Sequence, residues 1–129
     1  MGSFSDELSK RFLFFAVNII KIEKQLCISY SGRHLYGQLF RAGTSAGANY
    51  EEARAGESMA DFIHKMQIVL KELRESGFWI KVILASKLIP AENEVLNQIF
   101  NEATELSNIT AKSVLTAKSV LTAKSKSGK

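Results

Sequence analysis

Cysteine occurs once in this 129-residue chain, at Cys27, and proline once, at Pro90. A lone thiol cannot close an internal disulfide, and the N-terminus has no apolar core of a signal peptide, so a reducing cytoplasm is the expected compartment. No apolar run approaches the roughly 20 residues of a membrane span. Met1-Gly2 opens like an acylation site, but Asp6 stands where Ser or Thr is required. Histidine is limited to His34 and His64, which fall on different predicted helices. With only Asp61 close to His64 in sequence, a convergent metal-ligand set is not expected. No Ser/His/Asp order or nucleophile elbow occurs. Gly43-Thr44-Ser45-Ala46-Gly47 lacks both the lysine and the preceding strand of a phosphate loop. The reading is therefore of a non-enzyme without cofactor or metal.

Acidic residues stop at Glu105, and five lysines follow: Lys112, Lys118, Lys124, Lys126 and Lys129. The overall +4 thus resides in the tail, because the remainder holds 12 basic and 13 acidic residues, a net of −1. Residues 1–41 carry six basic against three acidic groups, and residues 42–109 six against ten. A protomer so divided can present basic surface despite a near-neutral body. The basic residues singled out as nucleic-acid-binding candidates are Lys10, Arg11, Lys21, Lys24, Arg33 and Arg41. On one continuous helix, Lys10, Lys21 and Lys24 would fall near one side, opposite the apolar stripe.

What is present is helical periodicity. Leu8, Phe12, Phe15, Ile19, Ile22 and Leu26 recur at three- and four-residue steps, which predicts a first helix over residues 4–28. Phe14 and Val17 lie off that stripe, so the apolar face is wide enough for bundle burial or a subunit contact. Ser29 to Gly32 reads as a turn. A second helix over 33–55 places Leu35, Leu39, Ala42, Ala46 and Ala53 inward. Seven of its residues between Gly37 and Ala48 are Gly, Ala or Ser, weak helix formers in isolation but suited to close approach of a neighbour. Gly56 takes the place of a helix C-terminal glycine. Ser58 with Asp61 resembles a capping box, opening a third helix over 58–86 with Phe62, Met66, Val69, Leu70, Leu73, Ile80 and Leu84 as its stripe. Pro90 starts the fourth helix, whose inner residues are Leu96, Ile99, Ala103, Leu106 and Thr110.

The fold expected is all-α, an up-down-up-down four-helix bundle over residues 1–109. Residues 110–129 form a Lys-rich tail containing TAKSVL twice and TAKS once. Six residues turn a helix by about 600°, so successive Val-Leu pairs change face. The tail is expected to be partly helical and to end in disorder over Lys-Ser-Lys-Ser-Gly-Lys.

The stretch RAGTSAGANYEEARAGES followed by ADFIHKMQIVLKELRESGFW resembles the signature of the small four-helix-bundle proteins encoded by intervening sequences of bacterial 23S ribosomal RNA genes. The likeness spans Phe15 to Phe100 and is strongest from Gln38 to Trp79. It implies a four-helix protomer assembled as a ring of five, related to the accessory variability protein of diversity-generating retroelements. It implies no catalytic residues.

Asn49, Glu52 and Arg54 read as a structural corner between the second and third helices, with Arg41 and Lys71 as further hydrogen-bond partners. Lys71 with Glu75 and Asp61 with Lys65 are expected as i,i+4 pairs, and Glu72 as part of a solvated or intersubunit face. Tyr50, Phe78 and Trp79 read as core or subunit contact. The functional expectation is an oligomeric module that docks RNA or a nucleoprotein partner. The competing expectation is a structural or protein-interaction scaffold without nucleic-acid binding.

Overall fold

A computed structural model describes residues 3–127 of the chain. Among them are five helices and no strand: α1 Phe4–Lys21, α2 Glu23–Leu26, α3 Tyr30–Arg54, α4 Met59–Ser86 and α5 Glu94–Ser127. The protein is all-α as expected. Met1 and Gly2, where the acylation reading falls, lie outside the described residues, as do the last Gly128 and Lys129 of the tail.

Each helix start has a chemical cause, and several differ from expectation. α1 is capped by Ser3. The Ser3 hydroxyl accepts from the Asp6 amide, and the Asp6 carboxylate accepts from the Ser3 amide, a reciprocal box that satisfies two otherwise unpaired donors. The first helix is not continuous to residue 28. At Ile22 the amide turns back to Ile19, and the short α2 follows, which keeps both Ile22 and Leu26 buried. Ser29, expected in a turn, caps α3 by accepting from the Gly32 amide at 3.0 Å. Ser58 caps α4 through the Asp61 amide as expected. Gly56 has an ordinary negative φ, so its value is not the left-handed C-cap. An added Cβ there would lie 3.1 Å from the Ala53 carbonyl, which makes it a close-approach glycine. α4 ends on Lys87 in the left-handed region (φ 59°), and Pro90 does not begin the last helix. The segment after Pro90 is a turn, and Asn93 caps α5 by accepting from the Leu96 amide at 2.9 Å.

Most residues of the inner stripes read from spacing are core, but Phe62, Leu70 and Leu84 of the third stripe are half-buried while Ile63 and Ile83 beside them are buried. Leu8, Phe12, Phe15, Ile19, Leu39, Met66, Leu73, Ile80, Leu96, Ile99 and Leu106 are all buried. α3 lies close against α1. A Cβ on Gly43 would come within 2.3 Å of Ile19 Cδ1, and one on Gly47 within 3.4 Å of Phe12 Cβ. Ala42 and Ala46 are fully buried beside them, and Tyr50 stacks on Phe12 with centroids 4.8 Å apart. The small-residue face thus seats the large side chains of α1. Thr110, expected on the inner stripe, is fully buried, and its hydroxyl has no hydrogen-bond partner among the described residues.

α3 packs on α4, α4 on α5, and α1 on both α3 and α5. Cross-helix bonds run in opposite order on paired elements: Ser5 meets Tyr50 near the start of α1, while Arg11 meets Glu102 and Gln25 meets Asn93. That order is compatible with antiparallel neighbours. α5 passes the expected boundary at residue 109 without interruption and runs to Ser127. Val114 and Ala117 join the core, whereas Leu115, Val120 and Leu121 are exposed, so the rotation of the repeat is visible along the helix.

Two glycines of α3 make opposite predictions. A Cβ on Gly32 would fall 1.7 Å from the Leu26 carbonyl oxygen, a backbone atom that cannot yield, whereas Gly37 has nothing within 4 Å. Gly32→Ala should destabilise the protein by about 1–3 kcal/mol. Gly37→Ala should stabilise it by roughly 0.5–1 kcal/mol through helix propensity. Urea unfolding followed by circular dichroism reads both, and equal midpoints for the two variants would contradict the α2–α3 close approach.

Candidate nucleic-acid interface

The six basic candidates separate into two groups once their partners are seen. Arg11 sits between α1 and α5 with a two-pronged grip on Glu102, Nε at 2.9 Å and Nη2 at 2.7 Å, and a longer contact to Glu105 at 3.4 Å. Glu102 chiefly, opposed by burial, holds the guanidinium above its ordinary value. Arg41 bridges α3 to α4 through Glu72 at 3.3 Å and through Glu75. Lys10 has a loose contact with Glu7 at 3.7 Å. These three face carboxylates and are poorly placed to attract a polyanion. Lys21, Lys24 and Arg33 are exposed and have no ion-pair partner among the described residues. All three lie where α1, α2 and α3 join. Lys24 is carried on the short α2, beyond the break at Ile22.

Asn49, Glu52 and Arg54 make separate contacts, and of these the Glu52 bond ties α3 to α4 as a corner between those helices would. Asn49 donates to its own helix, to the Ser45 carbonyl at 2.9 Å and hydroxyl at 3.1 Å. Glu52 is exposed and pairs with Lys65 on α4 at 2.7 Å. Arg54 reaches back to Asp6 at the start of α1, with Glu51 at 3.7 Å. The expected i,i+4 pairs are replaced in the same way: Lys65 takes Glu52 rather than Asp61, and Glu75 takes Arg41 rather than Lys71. Helix-surface spacing permits such local pairs, but a partner on a neighbouring helix wins when it approaches from the buried side, where the charges are less screened.

Sequence reasoning missed the one buried carboxylate among the described residues. Glu72, expected on a solvated face, is 7% exposed. The available signal was its position three residues after Val69 and four before Ser76, both fully buried. Arg41 partners it, Ser76 donates to its backbone carbonyl at 2.8 Å, and Trp79 Nε1 donates to Glu75 at 3.0 Å. No group of three or more His, Cys, Asp or Glu able to hold a metal occurs among the described residues. The Cys27 thiol is pushed up, first by burial and then by Glu23, with Arg33 opposing, which is the reverse of an activated nucleophile.

Two apolar surfaces stand out. Leu13, Phe14, Val17 and Ile20 are exposed on the side of α1 away from α3, although Phe12, Phe15 and Ile19 beside them are buried. A cleft of about 920 Å³ opens between the start of α1, the α3–α4 turn and the last part of α5, lined chiefly by Phe4, Leu8, Tyr50, Phe62, Met66 and Ile109. Tyr50 is core as expected, Trp79 is half-buried, and Phe78 is 55% exposed.

The family model of the 23S rRNA-intervening sequence protein matches residues 7–112. The chain belongs to that family. A solved structure of a protein with unknown function from the S23 ribosomal protein family of Bacteroides thetaiotaomicron is similar, at 33% identity and a TM-score of 0.74. The match covers 83% of this chain and 97% of that one. No curated protein matched the chain. No helix among the described residues is long and apolar enough to cross a membrane.

The Asp6–Arg54 contact yields a titration test. Its hydrogen bond to Arg54, then its bonds with Ser3, hold the Asp6 carboxyl below the ordinary aspartate value of 3.8. Because the folded value is depressed, the contact favours folding above the unfolded-state value, and that contribution is lost as pH falls through the folded value. In Arg54→Gln the Asp6 midpoint, followed by carboxyl-carbon NMR, should rise toward 3.8 without fully reaching it, since Ser3 remains. An unmoved midpoint would mean that Arg54 does not hold Asp6 in solution.

Proposed function

We propose that the four long helices form an up-down-up-down bundle and that the protein is a cytoplasmic, non-enzymatic homo-oligomer, a ring of five by the family resemblance. The oligomer is a binding module that docks RNA or a nucleoprotein partner through basic surface repeated by the assembly. The carrying observation is the exposed Lys21, Lys24 and Arg33 without carboxylate partners, at the end of an α1 whose outer side is apolar. A row of exposed Leu, Phe, Val and Ile on one helix is the surface another copy would cover, since exposed apolar patches of this kind mark association. Repetition around an axis then concentrates like charge, which attracts polyanions more than a single protomer does. The family is named for 23S rRNA intervening sequences and the neighbour is assigned to a ribosomal protein family, a context in keeping with such a partner. The later TAKSVL copies, helical and lysine-bearing, add sequence-independent attraction.

The scaffold reading keeps one observation of its own. Arg11 and Arg41, counted among the basic candidates, are engaged by Glu102, Glu72 and Glu75 within the protomer. Salt dependence separates the two readings, because each neutralised phosphate adds roughly 0.7–0.9 to the slope of log affinity against log salt. With the tail lysines changed to Gln, the protein should keep a salt-dependent affinity for RNA. Further change of Lys21, Lys24 and Arg33 to Gln should flatten that slope at unchanged oligomer size. If the tail changes alone abolish binding, the body is a scaffold.

A further inference from the structure

A second basic surface lies between α4 and α5, away from the six candidates. Arg74, Gly77, Phe78 and Lys81 form its α4 wall, and Phe100, Thr104 and Ser107 line the α5 side, around a groove of about 310 Å³. Arg74 and Lys81 are seven residues apart, two turns of one helix and about 10 Å along its axis. Both are exposed, and neither has an ion-pair partner among the described residues, in contrast to Arg41 and Lys65 on the α3 side. Phe78 stands between them, 55% exposed. Trp79 packs against it in a T-shaped contact with centroids 5.2 Å apart at 68°. At Gly77 a Cβ would meet nothing within 4 Å, so a planar group can approach the α4 backbone. The hydroxyls of Thr104 and Ser107 donate to their own helix, to the Phe100 and Ala103 carbonyls, and keep lone pairs for an incoming N–H donor.

We propose that this groove seats single-stranded nucleic acid, with one base stacked on Phe78 and phosphates held by Arg74 and Lys81. The proposal rests on the nucleic-acid reading given above and names a place for it. An exposed ring flanked by unpaired cations is the chemistry that binds single strands without reading sequence, because every base has a π-face and every nucleotide a phosphate. A duplex would bury its bases away from Phe78. An acidic protein partner would use the cations but gain little from a groove sized for one ring.

Trp79 is the only tryptophan of the chain and reports on the site directly. Titration with a short uridine oligomer, and with a thymidine oligomer of equal length, should change Trp79 emission saturably and with similar affinity for both. Phe78→Ala should weaken binding roughly tenfold, read by anisotropy of a labelled oligomer, with oligomeric size unchanged. Arg74→Gln with Lys81→Gln should lower the salt slope by roughly 1.4 for a single strand. Wild-type affinity in these variants, while the Lys21, Lys24 and Arg33 variant loses binding, would overturn the groove and leave the binding-module reading standing. Absence of binding by the wild-type protein at low salt would overturn both. A Phe78→Ala variant with altered oligomer size would make Phe78 a subunit contact and overturn the groove. Preference for duplex over single strand would do the same.

Discussion

The close contact of α3 with α1 is the constraint on which the other features depend. Gly43 and Gly47 leave no side chain between the α3 backbone and Ile19 or Phe12, and Ala42 and Ala46 complete the same face. Such a helix has poor intrinsic propensity and is held by what packs into it, so burial of Phe12, Phe15 and Ile19 and order in α3 come together. The direction of α1's side chains follows. Once Phe12, Phe15 and Ile19 are committed to α3, helical geometry turns Leu13, Phe14, Val17 and Ile20 away from it.

Charge is apportioned around this frame by distance from the helix seams. Arginines that reach across a seam, Arg11 to α5, Arg41 to α4 and Arg54 to α1, meet carboxylates and tie elements together. Bases on outer faces or at helix ends, Lys21, Lys24, Arg33, Arg74 and Lys81, have no such partner among the described residues. Net charge therefore says little about binding here, and the distinction between a bridging arginine and an unpaired base says more. The family resemblance agrees with the helical architecture, and the match over residues 7–112 includes both the α3–α4 pair and most of α5.

The apolar stripes were legible because three- and four-residue spacing maps directly onto one helical face, and most of the residues read that way are buried; on α4 the face was placed slightly off, since Ile63 and Ile83 are buried where Phe62 and Leu84 were read. The small-residue face of α3 was legible for the same reason. The break at Ile22 was not, because Ile22 and Leu26 continue the spacing whether or not the axis bends. Nor was Gly32, whose approach to the Leu26 carbonyl depends on how two segments meet. The ion pairs were the least legible. Local spacing offered Lys71 to Glu75 and Asp61 to Lys65, but the choice of partner is made across helices, as it is for Glu72 in its buried position. Phe78 was read as core or subunit contact and the α4–α5 groove was not foreseen, because an aromatic at helical spacing reads as core until its neighbours are known.

We propose that α1 has two apolar sides in use, the one seated on α3 and an outer one, with Leu13, Phe14, Val17 and Ile20, covered by a second copy. Native mass spectrometry of the wild type and of a Phe14→Glu, Val17→Glu variant tests it most directly. The claim predicts an oligomer for the wild type, and for the variant a monomer with unchanged helix content by circular dichroism. A monomeric wild type, or a variant that keeps the same oligomer, would contradict it.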